Sequence, residues 1–354
     1  MRRQNGKLNS ILKFVEQLPE SQVDYIIDEL YAKLTICEEQ ADTSVYTLHK
    51  EKVAVCRNCG SIHIVKNGKD RHGHTRYICK DCGKTFGDMT NTVVSGTHKS
   101  SATWKTYIRA LLDGCTLEEC AVQCHISVPT AFVWRHKILN ALNENSFNHV
   151  FNGMVEMDEA WVRISYKGNH SKSKDFVMPR KAYKRGTDNR EQSNNARACV
   201  LCAVERNKSY SAIIPCRGLL NSKLLDTILE EKLSEDCIVM TDGLRAYDYY
   251  FKGTNIEHVI LPANRGSQKP TVKGAYHLNN VNALHSRFKL FLRKYNGVST
   301  KYLNNYLALF LWLENNRHVQ KYDLICERMS KTGSYITATQ LRQFAPTPEL
   351  APAA

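Results

Sequence analysis

The sequence predicts a multidomain chain in which a small cysteine module and a helical block precede a larger α/β domain. Three observations lead there. Two Cys-x-x-Cys pairs, Cys56 with Cys59 and Cys79 with Cys82, stand nineteen residues apart. Helical spacing with cap residues occupies about residues 101 to 144, and from about 150 to 330 β-rich runs alternate with amphipathic stretches. At 354 residues the chain is long enough for several cores. We divide it at 1–48, 49–98, 99–148, 149–330 and 331–354.

Composition narrows the partners. With 42% apolar and 24% charged residues the chain has the make-up of an ordinary globular protein. Its formal charge of +14 favours a polyanionic partner, because each Lys or Arg that neutralises a phosphate releases a condensed counterion. No apolar run approaches the roughly 18 residues of a membrane span, and Met-Arg-Arg-Gln-Asn at the N-terminus lacks the apolar core of a signal peptide. A cytoplasmic, nucleoid-associated protein is expected, with its thirteen cysteines reduced or metal-bound.

The first segment, residues 8–36, places Leu12, Val15, Val23, Ile26, Ile27, Leu30 and Leu34 on one helical stripe interrupted at Pro19, which reads as a packing or dimerisation helix. In the cysteine module each pair is followed by glycine, Gly60 and Gly83. Four thiolates at this spacing suit tetrahedral zinc, and glycine permits the positive φ of a knuckle. The basic stretch between the pairs predicts a zinc-ribbon hairpin.

The third segment reads as helix-turn-helix. Trp104, Ile108, Leu111 and Leu112 form one apolar face, and Thr116-Leu117-Glu118-Glu119 has the form of a capping box. Ser127 caps a third helix with Pro129 in its first turn. If that helix enters a major groove, Thr130, Arg135 and Lys137 are its DNA contacts; a helical linker with a solvated basic face is the alternative. Cys115, Cys120 and Cys124 are expected to pack as small apolar residues.

In the fourth segment Val155–Ser165, Ala198–Glu205 and Tyr210–Pro215 read as strands, Asn221–Leu233 as a helix, and Cys237–Met240 and Ile256–Leu261 as buried strands. Three strands followed by helix, strand, helix, strand and helix is the order of an RNase H-like α/β domain. Cys199 and Cys202, three apart on a strand, point to opposite faces and are read as structural. The basic, turn-rich stretch 167–197 is a loop that lies along DNA or is solvated.

Asp158 and Asp242 each close an apolar strand, and ligands of open α/β sheets gather at strand ends. Two such carboxylates suit divalent metal in phosphodiester chemistry. A third ligand is harder to place, because no Asp or Glu occurs between Glu257 and Glu314. Asn282 offers an amide oxygen for magnesium, with His277, better suited to manganese, as a lesser candidate. Seven residues are about 700 degrees of helix, so Lys289 shares the face of Asn282 roughly 10 Å along the axis, where it would meet a DNA phosphate.

The cysteine module, the helix-turn-helix, Val155-Glu156-Met157-Asp158-Glu159, Thr241-Asp242-Gly243-Leu244-Arg245-Ala246-Tyr247, the His277 to Lys289 segment and Gly297-Val298-Ser299-Thr300-Lys301-Tyr302-Leu303 together resemble a bacterial insertion-sequence transposase. The likeness covers about residues 50 to 320. It is to the group with an N-terminal zinc ribbon and a DDE-type domain, in the Asp-Asp-Asn-Lys variant. The resemblance implies an RNase H-like catalytic domain, magnesium or manganese at Asp158, Asp242 and Asn282, and Lys289 in the site. It further implies a homo-oligomer that binds terminal inverted repeats in double-stranded DNA, cleaves strands and transfers a 3′ hydroxyl into target DNA. An inert DNA-binding regulator and a structure-selective nuclease of the same fold are the competing readings. Asn in place of a third acid removes a charge, so the second metal is expected to bind only with DNA present.

Overall fold

The computed structural model describes residues 53–70, 75–143, 149–168, 197–206, 209–262, 274–330 and 336–342, with the single positions 18, 22, 23 and 177. Apart from those single positions, the helical stripe of 8–36, most of the loop 167–197 and the tail 346–354 lie outside the described residues.

The cysteine module is a three-stranded antiparallel sheet of β1 (Ile64–Lys69), β2 (Thr75–Cys79) and β3 (Thr85–Gly87). It buries only Cys56, Cys79 and Phe86, too little apolar surface to hold a fold without a metal. Both knuckles close alike: Cys56 N–H donates to Ser61 O and Cys79 N–H to Lys84 O, with Gly60 and Gly83 at φ 76° and 67°.

Helices α1 (Ser101–Leu112), α2 (Leu117–Gln123) and α3 (Val128–Ala141) begin at the caps Ser100, Thr116 and Ser127, and the Thr116–Glu119 capping box is present. Trp104 stacks on Trp134 with centroids 3.7 Å apart. The helices are where the sequence puts them, but α3 is not an exposed reading head. Helices α7 (Leu303–Asn315), α8 (Lys321–Ser330) and α9 (Ala338–Arg342) pack around it, and residues from both sides of position 149 share one core.

The remaining strands form a five-stranded mixed sheet. In chain order they are β4 (Met154–Arg163), β5 (Arg197–Glu205), β6 (Ser209–Ile213), β7 (Ile238–Thr241) and β8 (Glu257–Ile260), arranged spatially as β6-β5-β4-β7-β8. The first three are antiparallel, and β7 and β8 run parallel to β4. Helix α4 (Ser222–Leu229) precedes β7, and α5 (Arg245–Phe251) lies between β7 and β8. The first of these stops four residues short of the expected Leu233, because Glu230 turns to ψ 123° and Glu231 adopts φ 55°.

Strand alternation divides the sheet's two faces. Val155, Met157, Cys199 and Leu201 pack with Leu225, Leu229, Tyr247 and Phe251 of α4 and α5. Ala160, Val200, Cys202 and Val204 pack with α6 (Asn279–Lys294) and α7. Cys199 and Cys202 therefore sit buried on opposite faces, as the spacing requires.

One buried charge fixes α6 to this sheet. The helix has no side-chain cap of its own and no acid in its first turn, leaving its first amides without acceptors. Glu156 of β4, fully buried, supplies them: its carboxylate accepts from Asn280 N–H at 2.8 Å, Val281 N–H at 3.1 Å and the Asn280 side-chain amide at 2.7 Å. Arg206 pairs with the same group at 2.9 Å and also donates to the carbonyls of Ala275 and His277. Replacing Glu156 with Ala leaves Arg206 and the helix terminus unpaired, and should cost about 3–5 kcal/mol of stability. Urea unfolding of the zinc-loaded protein checks this, with a smaller loss expected for Glu156→Gln.

Candidate functional site

Two constellations of chemically active side chains are present. In the ribbon, the sulfur atoms of Cys56, Cys59, Cys79 and Cys82 all lie within 4.8 Å of one another. The Cys56–Cys82 and Cys59–Cys79 separations are 3.7 and 3.6 Å. A tetrahedron with Zn–S of about 2.3 Å has an edge of roughly 3.8 Å, so the donor set fits zinc. Burial acts to raise the Cys56 thiol, but N–H groups of Asn58 and Cys59 and the neighbouring thiols outweigh it and bring it down to about 6. His63 Nδ1 at 3.1 Å and Ser61 Oγ at 2.6 Å bond to Asp81 and tie the knuckles together.

The second constellation lies where β4 and β7 face α6. In the parallel register Glu156 pairs with Met240, so Asp158 and Asp242 stand level, two residues further along adjacent chains. Both follow residues of the α6-facing side, Glu156 and Met240, by two positions, which directs them to that side. The Asp242 carboxylate accepts from Leu244 N–H at 2.9 Å, and Asp158 from Glu159 N–H at 2.9 Å. Burial, then the charge of Asp242, pushes Asp158 up to about 6, while Lys289 pulls the other way. A divalent cation would relieve this repulsion, and carboxylates are among the hard donors magnesium takes.

Asn282, His285 and Lys289 form one stripe of α6, at steps of three and four residues. His285 is buried, with Nδ1 3.8 Å from Asp158 Oδ2, and burial followed by Lys289 holds its imidazole down to about 4. Asn282 and Lys289 are exposed on either side, about 4.5 Å before and 6 Å after it along the axis. The sequence reading gave His285 no role. Its position midway along that stripe was the available signal.

The other expected residues fall elsewhere. His277 directs Nδ1 at Glu156 (3.3 Å) and Arg206 (3.1 Å), a structural cluster rather than the Asp158 carboxylate. Arg135 and Lys137, expected to contact DNA, are buried. Arg135 is 1% exposed and donates to Cys115 O at 2.7 Å, while Lys137 is 9% exposed and donates to Ser95 O at 3.4 Å. Their helix is surrounded by α7, α8 and α9, which the local pattern of α3 could not reveal. Thr130 stays partly exposed in its first turn.

Glu159 was also unforeseen as a positioning group. It faces away from Asp158 and accepts a hydrogen bond from the Tyr247 hydroxyl of α5, linking the strand of one acid to the helix following the other. Burial pushes its carboxyl up to about 8 despite that bond.

Residues 150–315, which span the mixed sheet through α7, match the family model of the ISXO2-like transposase domain. An uncharacterized protein in transposable element ISH50 of Halobacterium salinarum is 25% identical over 282 residues, covering 78% of this chain and 91% of that one. An uncharacterized transposase-like protein of Haemophilus influenzae is 26% identical over 128 residues, 35% of this chain and 94% of that one. Among solved structures, a pre-cleavage Mos1 transpososome covers 69% of this chain and 83% of its own at 12% identity and a TM-score of 0.24, a likeness too low to carry weight.

Two outcomes follow from the geometry. Stripping zinc with a chelator should raise amide exchange throughout residues 53–87 while the mixed sheet stays protected, and Cys79→Ser should lower zinc content in the same way. Asp158 ionises near 6 when folded against 3.8 ordinarily, so between those values the native state holds more protons than the unfolded one. Stability should therefore fall as pH rises through that window and remain lower above it. Asp158→Asn should stabilise metal-free protein at neutral pH by up to about 3 kcal/mol, read by urea unfolding.

Proposed function

We propose that this chain, which resembles insertion-sequence transposases in its motifs and matches their domain over residues 150–315, is a DNA transposase with an RNase H-like catalytic domain. The reading is supported chiefly by Asp158 and Asp242 following the paired residues Glu156 and Met240 of adjacent parallel strands by two positions each, with His285 of α6 3.8 Å from Asp158. The sheet order β6-β5-β4-β7-β8 supports it.

In this reading Asp158, Asp242 and the Asn282 amide oxygen hold divalent ions that, when bound, polarise the scissile phosphate and activate the attacking water or 3′ hydroxyl. Lys289 grips a phosphate beside them without competing for metal. His285, neutral and packed against Asp158, orients that carboxylate. Glu159 and Tyr247 fix α5, and with it the turn of Asp242, relative to β4. The ribbon and the partly exposed Thr130 contribute to binding terminal inverted repeats, and a homo-oligomer pairs the two ends for cleavage and strand transfer.

A strand-transfer assay on DNA carrying the element's own ends tests this. Asp242→Ala should abolish both cleavage and joining. Asn282→Asp should retain joining with altered metal dependence, and Asn282→Ala should lower it by at least the roughly 10–100-fold that removing even an outer-shell partner of a metal ligand costs. Cleavage without joined product in the parent would favour a nuclease instead, and rearrangement unaffected by Asp242→Ala would point to a regulator.

A further inference from the structure

A second site lies away from the acidic pair. A cavity of about 580 Å³ opens between the N-terminal half of α3, the chain after α6, and the turn following β4. Its volume falls within the roughly 300–1,000 Å³ of small-molecule sites. Tyr295, on its wall, follows His285 by ten residues, so the cavity lies roughly 15 Å along α6 from Asp158.

Its lining combines aromatic faces with positive charge. Phe132, Tyr302 and Tyr306 contribute rings, Phe132 meeting Tyr302 edge-on at 5.3 Å. Arg135, Lys167 and Lys301 contribute cations, against the single acid Glu118 among the described lining residues. Arg135 is buried beside Tyr295, 5.2 Å from its ring, and its Nε has no hydrogen-bond partner. No carboxylate forms an ion pair with it among the described residues. Its Nη2 donates to Cys115 O and Cys120 Sγ and the Glu119 carboxylate lies within electrostatic reach, but the Nε is left for an anionic ligand, which would add to that partial compensation.

His136 packs against the same rings, with centroids 4.5 Å from Phe132 and 4.3 Å from Tyr302. It is fully buried, its Nδ1 lies 3.1 Å from the Asn305 amide nitrogen, and its Nε2 is unpartnered. With the Asn305 amide donating to Nδ1, the neutral ring carries its proton on Nε2 and lacks an acceptor.

We propose that this cavity binds one nucleotide unit, its base against the Phe132 and Tyr302 rings and its phosphate near Arg135 and Lys301. Aromatic faces stack any base, and guanidinium and ammonium groups suit phosphate. The unit comes from a DNA strand with a base turned out of its stack, or from a free nucleotide. The proposal does not depend on the transposase reading.

The test is titration calorimetry on the full zinc-loaded chain with deoxyadenosine monophosphate, deoxyadenosine, and deoxyribose 5-phosphate. The nucleotide should bind saturably, and each half about tenfold or more weakly than the whole. Lys301→Gln and Tyr302→Leu should each weaken it by about tenfold while the melting temperature and circular dichroism stay at parent values. A single-stranded oligonucleotide that displaces the nucleotide identifies DNA as the source, and failure to displace it identifies the free nucleotide. No saturable binding by the folded chain, or binding untouched by both folded variants, overturns the proposal.

Discussion

The arrangement of the acidic site depends on the contact between Glu156 and the start of α6. That helix arises in a stretch of chain without a single acid between Glu257 and Glu314, and its first turn has no cap of its own. The missing negative charge comes from β4, where Glu156 accepts two backbone amides of α6 and pairs with Arg206. A carboxylate at a helix N-terminus meets both the orphan amides and the positive end of the dipole. Because Glu156 and Asp158 are two residues apart on one strand, the contact that seats the helix also sets which of its residues can approach Asp158.

Charge is distributed unevenly around that seat. Asp158 is raised by burial and by Asp242, and Lys289 opposes the shift. On the sheet's other face Glu159 is pushed up to about 8 and engages Tyr247. Glu156 is engaged by Arg206 and the helix amides, while Asp158 and Glu159, adjacent on β4, are both raised, to about 6 and about 8. Burial is the main cause of both shifts; Asp242 adds to that of Asp158, and Tyr247 opposes that of Glu159.

The helical block shows how tertiary packing reassigns a basic sequence. Arg135, His136 and Lys137 look like a surface run, yet all three are buried where α7 and α8 enclose α3. Arg135 Nη2 and Lys137 Nζ find carbonyls and His136 Nδ1 an amide instead of solvent, while Arg135 Nε and His136 Nε2 have no hydrogen-bond partner. The same enclosure leaves the cationic, aromatic-lined cavity beside α3, and of the three residues Arg135 and His136 line it.

The sequence by itself determined the cysteine module, through spacing and paired glycines, because knuckle geometry is local. It also determined the caps at Thr116 and Ser127 and the strand runs, since caps and alternation are read within a few residues. Asp242 was legible as a strand-end residue and Asn282 and Lys289 as helix-face residues, whereas Asp158, expected to close its strand, lies within β4, which continues to Arg163 paired with β5. Only the tertiary structure decided that Asp158 and Asp242 stand level, that His285 lies between Asn282 and Lys289 against Asp158, and that Glu156 caps a helix 124 positions away. It also decided the burial of Arg135 and Lys137. Each depends on which distant element packs against a residue, and burial by a partner helix leaves no period in the local sequence.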